Sequence, residues 1–80
     1  MPLIYSPKAD KHGVPRHSIW YVVMTAPSRP VVTNWGEPGT EYEGVDDRGV
    51  RCEVITVPRG RNDMAVHAMP TSDRHDSKED

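Results

Sequence analysis

One short helical period, closed by prolines at both ends and followed only by strand-like sequence, constrains this chain most. Ile19, Val22, Val23 and Ala26 recur at i, i+3, i+4 and i+7, the spacing of a single helical stripe, with Trp20 and Met24 widening it. Pro15 suits the first helical position, where a missing N–H is harmless, and Pro27 and Pro30 end the run. The spacing predicts one helix over about residues 15–26. Val22 and Val23 are β-branched and lower its intrinsic propensity, so packing against a sheet has to hold it together.

After Pro30 the pattern turns to β. Residues 31–35 are β-branched and aromatic, residues 36–39 (Gly-Glu-Pro-Gly) have turn chemistry, and residues 41–45 form a weaker strand. Residues 46–49 (Asp-Asp-Arg-Gly) suggest a hairpin. In residues 50–57, Cys52, Val54 and Thr56 alternate with Arg51, Glu53, Ile55 and Val57. A last turn at residues 58–63 leads to a strand at 64–69, where His67 shares a face with Ala65 and Met69 by strict alternation. All these joins are short and suit antiparallel pairing. The opening Leu3-Ile4-Tyr5 reads as a short extended segment, and residues 8–13 as a polar connector or a frayed helical turn. The expected fold is therefore α+β: one main helix on a small three- to four-stranded antiparallel sheet. Residues 1–70 form the single domain, and residues 71–80 a charged flexible tail.

Eighty residues allow only a thin core. Phe is absent, so the two Trp and three Tyr are expected to supply much of its large apolar volume. The single cysteine, Cys52, excludes an intramolecular disulfide and a Cys-rich zinc site and fits a reducing compartment. No apolar run approaches the roughly 18 residues of a membrane span, and Met1 to Tyr5 runs straight into Pro7 and charges, so no membrane association is expected and a cytoplasmic location is. The net charge is −2, but residues 1–70 balance eight Lys or Arg against eight Asp or Glu. That balance argues against a dedicated duplex-DNA binder, which draws much of its affinity from basic surplus, and leaves room for a local RNA contact.

Among side chains able to do chemistry, His12 and His17 lie five apart and His67 sits in the last strand, none at helical zinc spacing, so no metal and no cofactor are expected. His67 reads either as a hydrogen-bonded sheet histidine or as a base or phosphate-contacting group on an open sheet face. Basic residues gather at Lys8, Lys11 and Arg16, at Arg48 and Arg51, and at Arg59 and Arg61. Each cluster is either a solvated face or a phosphate contact. Metal-free RNA cleavage needs a base for the 2′-hydroxyl, cations for the developing phosphorane charge and an acid for the leaving oxygen, which a His with two or three Lys or Arg can supply.

Two segments together resemble a known family. Asp10-Lys11-His12-Gly13-Val14 ahead of a helix, and Gly44-Val45-Asp46 through Arg51-Cys52-Glu53-Val54 to Val66-His67-Ala68-Met69-Pro70, resemble the BrnT-like toxins of type II toxin–antitoxin systems, part of the RelE-like ribonuclease group. The resemblance spans about residues 8–72. It implies a helix on an antiparallel sheet and a growth-inhibiting, metal-independent ribonuclease opposed by a cognate antitoxin. It places His12, His67, Lys11 and Arg51 as catalytic residues and Arg16 and Arg74 as RNA-binding ones, with Glu53 at the family's acidic position. The chain departs from the family where Met69 replaces an Arg, where Pro15 replaces a capping Ser or Thr, and in the net-acidic run Asp73-Arg74-His75-Asp76. These departures open a second expectation: a non-catalytic interaction protein on the same scaffold, from a phage or mobile element, that binds and modulates a host protein. The partners expected are accordingly RNA or a host protein, with a cognate antitoxin and a homodimer left open.

Overall fold

A computed structural model describes residues 2–73. The elements run β1 (Leu3–Tyr5), a 3-10 turn (Pro7–Asp10), α1 (Arg16–Thr25), β2 (Ser28–Val32), β3 (Pro38–Val45), β4 (Arg51–Arg59), β5 (Asn62–Pro70) and a closing 3-10 turn (Thr71–Asp73). Among the described residues the class is α+β with one α-helix, as expected, but the sheet is larger and mixed. Its order is β1-β5-β4-β3-β2, with β1 parallel to β5 and every other pair antiparallel. Short hairpin signals report only neighbouring strands. The pairing of Ile4 with Met64 joins opposite ends of the domain, and no local pattern announces it.

α1 starts one residue after the expected position, at Arg16, because Pro15 is extended rather than helical. Pro15 stands at the N-cap, its carbonyl accepting from the Ser18 and Ile19 amides, each at 3.0 Å. Ala26 is already extended, at φ −89° and ψ 153°, the conformation that a residue before proline is driven into. The buried stripe is Ser18, Ile19, Val22 and Val23. At about 100° per residue, Trp20 and Met24 fall on the far side of that stripe. The expectation that they widen it is corrected: they are 49% and 52% exposed. Trp35 is 51% exposed as well, so the core is aliphatic rather than aromatic. Ile19, Val22, Val54, Val57 and Cys52 are its largest fully buried side chains.

The first hairpin is shifted relative to the pattern. β2 begins at Ser28 and carries Pro30 on the edge of the sheet, where a missing N–H interrupts no ladder. It ends at Val32, and residues 33–36 form the turn expected slightly later. The Thr33 hydroxyl and carbonyl close that turn by accepting from the Glu37 and Gly36 amides, each at 2.9 Å. Gly36 takes a φ of +87°, which few other residues tolerate.

Between β4 and β5 the register slips. Ile55 faces His67, yet Thr56 faces Ala65, leaving Val66 as an extra residue on β5. The bulge corrects the strict alternation read from sequence. Ala65 and Ala68 both join the core under α1, while His67 stays on the opposite face. The α1 side of the sheet carries Tyr42, Cys52 and Val54, and α1 lies so close that a Cβ on Gly44 would meet the Ala26 Cβ at 2.7 Å. The other side carries Glu41 beside Ile55 and His67, and Glu43 beside Glu53 and Met69, since directly paired residues share a face.

Candidate functional site

A cleft of about 600 Å³ opens on the sheet face away from α1, within the usual size range of ligand sites. Lys8, Lys11 and His12 from the segment after β1 form one wall, residues 32–35 of the first hairpin form another, and Glu53, Ile55, Val66 and His67 form the floor. The bulge at Val66 lets Val66 and His67, neighbours in sequence, both line it.

The His67 ring stands at a right angle of sorts to that of His12, with centroids 5.8 Å apart and planes inclined by 73°. His67 Nε2 lies 2.9 Å from Glu53 Oε2, and the Glu53 side chain is only 9% exposed. The tautomer with its hydrogen on Nε2 donates to Glu53 in this contact and has its lone pair on Nδ1. At the far wall, the Trp35 indole N–H donates to Glu37 Oε1 at 2.8 Å, and the Lys8 ammonium stands 4.9 Å from the Trp35 ring centroid. The Arg59 guanidinium bonded to Glu37 first, and the Trp35 N–H second, hold that carboxyl below the usual carboxylate range. Among the described residues, no group of three or more His, Cys, Asp or Glu side chains is placed to hold a metal ion.

The structure thus brings together three of the residues singled out from sequence, Lys11, His12 and His67. Arg51 lies outside the cleft. It bonds Glu43 through Nε at 3.4 Å and borders a smaller depression with Arg29 and Glu41, themselves paired through Arg29 Nε at 2.6 Å. Arg16 forks onto Asp10 at 3.2 and 3.0 Å and covers the Tyr5 ring at 5.1 Å. Arg74 lies outside the described residues. His17 contacts Asp47 at 3.2 Å on the helix side. Carboxylates therefore hold Arg16, Arg29, Arg48, Arg51 and Arg59, and among the described residues the cations lining the cleft are Lys8 and Lys11.

Sequence reasoning missed Lys8 and Trp35 as parts of the site, and placed Glu53 without its partner. Lys8 was legible as part of a basic cluster. The Glu53–His67 contact crosses the sheet diagonally between β4 and β5, so finding it requires the register of that hairpin, bulge included.

A second buried cluster lies at the β3–β4 turn. Asp46 Oδ1 accepts from the Arg48 and Val50 amides at 2.8 and 2.9 Å, and Oδ2 accepts from Arg48 Nε at 2.9 Å. Burial alone pushes this carboxyl up, but the Val50 amide and the Arg48 side chain and amide together outweigh it and hold the group below its ordinary range. Burial, and then the Asp46 carboxylate beside it, push the Cys52 thiol up, which keeps it protonated and unreactive. This cluster ties the turn down rather than opening onto solvent.

No helix among the described residues is long and apolar enough to cross a membrane. Compared with known proteins, the chain matches no family model, no curated protein and no solved structure.

Proposed function

We propose that the protein is a small growth-inhibiting ribonuclease of the BrnT-like kind, cutting RNA without a metal in the cleft on the open sheet face. The observation that carries the reading is the meeting of two histidines, a buried carboxylate and two lysines in one cleft: His12 and His67 at 5.8 Å, Glu53 on His67, and Lys8 and Lys11 beside them.

The chemistry follows from those groups. His67 Nδ1 takes the proton of a ribose 2′-hydroxyl, whose oxygen attacks the adjacent phosphorus. The bond from phosphorus to the 5′ oxygen breaks, and protonated His12 gives its proton to that departing oxygen. Lys8 and Lys11 stabilise the extra negative charge on the non-bridging oxygens. The products are a 2′,3′-cyclic phosphate and a 5′-hydroxyl. Glu53 fixes the tautomer and orientation of His67. Arg51 and Arg16, engaged by Glu43 and Asp10, act on RNA only after leaving those partners, so the lysines carry the phosphate contact here.

Purified protein free of any antitoxin, incubated with RNA in EDTA, tests this. The parent cuts, and His12→Ala and His67→Ala each cut about 10²–10⁴-fold more slowly, the usual worth of one general acid or base. Cutting by both variants as fast as by the parent overturns the site.

The neutralised arginines favour a second reading, a non-catalytic protein that binds and modulates a host protein. The exposed Trp20 and Met24 on the outer side of α1 add to it. Growth inhibition by the parent and by both histidine variants, without RNA cleavage, supports that reading and sinks the nuclease.

A further inference from the structure

We infer that Trp35 is the stacking platform for one unpaired base of a single-stranded RNA whose phosphate lies at the lysine and histidine end of the same cleft. The choice of RNA rests on the nuclease reading above; the platform itself rests on geometry.

Trp35 is half exposed, in a chain whose thin core had every use for a buried indole, and yet it is not loose. Its ring edge is pinned through Nε1 to Glu37, and Arg59 grips the same carboxylate, with Nη2 at 3.1 Å from Oε1. The tight turn of residues 33–36 fixes its backbone. An exposed aromatic ring held in one orientation is pre-organised for stacking, because little rotamer freedom is left to lose on binding. Lys8 covers the ring as a cation over a π-face. Base stacking on an indole is the stronger contact, so an arriving base displaces the flexible ammonium, which then meets the phosphate. Val32 and Ile55 line the cleft with Trp35 and give the base an apolar surround. In a duplex, both faces of a base are already covered by its neighbours, so only an unpaired base fits this arrangement.

The test uses Trp20→Phe, which leaves Trp35 as the sole indole, and an uncleavable 2′-O-methyl hexanucleotide offered single-stranded or as a duplex. Binding is read by anisotropy of a labelled strand and stacking by indole fluorescence. The single strand is expected to quench Trp35 in step with binding, and the duplex to leave it unchanged. With Trp20 intact, Trp35→Ala weakens binding about tenfold or more while Trp35→Phe stays within about threefold of the parent. Binding without quenching, equal quenching by the duplex, no oligonucleotide binding at all, or parent-like binding by Trp35→Ala overturns the inference. The two readings fail separately: quenching without cleavage in EDTA sinks the nuclease and leaves the platform, whereas cleavage without quenching sinks the platform alone. Should Trp35→Ala melt before it can be measured, the quenching of Trp35 in Trp20→Phe decides by itself.

Discussion

Replacing Asp46 with Ala is expected to unfold this domain far more readily than any surface charge change. The side chain is fully buried and closes the β3–β4 turn by accepting from the amides of Arg48 and Val50 at 2.8 and 2.9 Å. Hydrogen bonds to a charged acceptor are each worth about 1.5–3 kcal/mol, and amides in a turn regain some water when the acceptor goes, so the low end applies: about 3 kcal/mol for the two. Arg48 is left out of that sum because its side chain is 38% exposed and rehydrates. A domain of this size holds about 4–12 kcal/mol in all, and about 4–8 °C of melting temperature goes with each kcal/mol. Asp46→Ala should therefore melt about 12–24 °C below the parent by far-ultraviolet circular dichroism. Asp46→Asn keeps one acceptor oxygen and should fall about half as far. The acid side gives a sign check. Because the folded carboxyl is held below its unfolded value of about 3.9, its contribution is complete above that pH and is lost as pH falls through the folded value. The gap between parent and Asp46→Ala should be constant from pH 7 to 5 and narrow below about pH 4. A variant melting within about 3 °C of the parent, or a gap unchanged at pH 3, refutes the reasoning.

Gly44→Ala should destabilise by about 1–3 kcal/mol, because the added methyl meets the Ala26 Cβ at 2.7 Å and pushes the end of α1 off the sheet; urea melts measure it, and a neutral result would mean that α1 rides higher over β3. Glu53→Gln should bind RNA nearly as the parent does yet cut it up to about 10²-fold more slowly, the cost of misplacing a catalytic group by about 1 Å. Unchanged single-turnover cleavage by that variant would remove Glu53 from the role of orienting His67.

What the sequence made legible was governed by short-range rules. The spacing of Ile19, Val22 and Val23 and the flanking prolines located α1 to within a residue, and the Asp-Asp-Arg-Gly turn located the β3–β4 hairpin. What it hid depended on pairs distant along the chain. Leu3-Ile4-Tyr5 reads from sequence as a short extended segment, and only its pairing with β5 makes it a strand of the sheet. The bulge at Val66 carries no glycine or proline to mark it, yet it decides that Ala65 joins the core and His67 the cleft. Trp20 and Trp35 look like core residues by size, but the helical phase of one and the turn position of the other leave both half exposed. Of the site, Lys11, His12 and His67 are visible as residue types, and only the family resemblance, not their spacing, puts them in one site, because their meeting joins the segment after β1 to the last strand.

The ends of the RNA fragments test the central claim most directly. Cleavage by a histidine pair through the 2′-hydroxyl must leave a 2′,3′-cyclic phosphate on one fragment and a 5′-hydroxyl on the other. Mass spectrometry of a short single-stranded RNA incubated with the parent in EDTA should find those ends, and should find the cut RNA reduced to a trace with His12→Ala and His67→Ala. Fragments carrying 3′-hydroxyl and 5′-phosphate ends, or RNA left intact by the parent, would contradict the account.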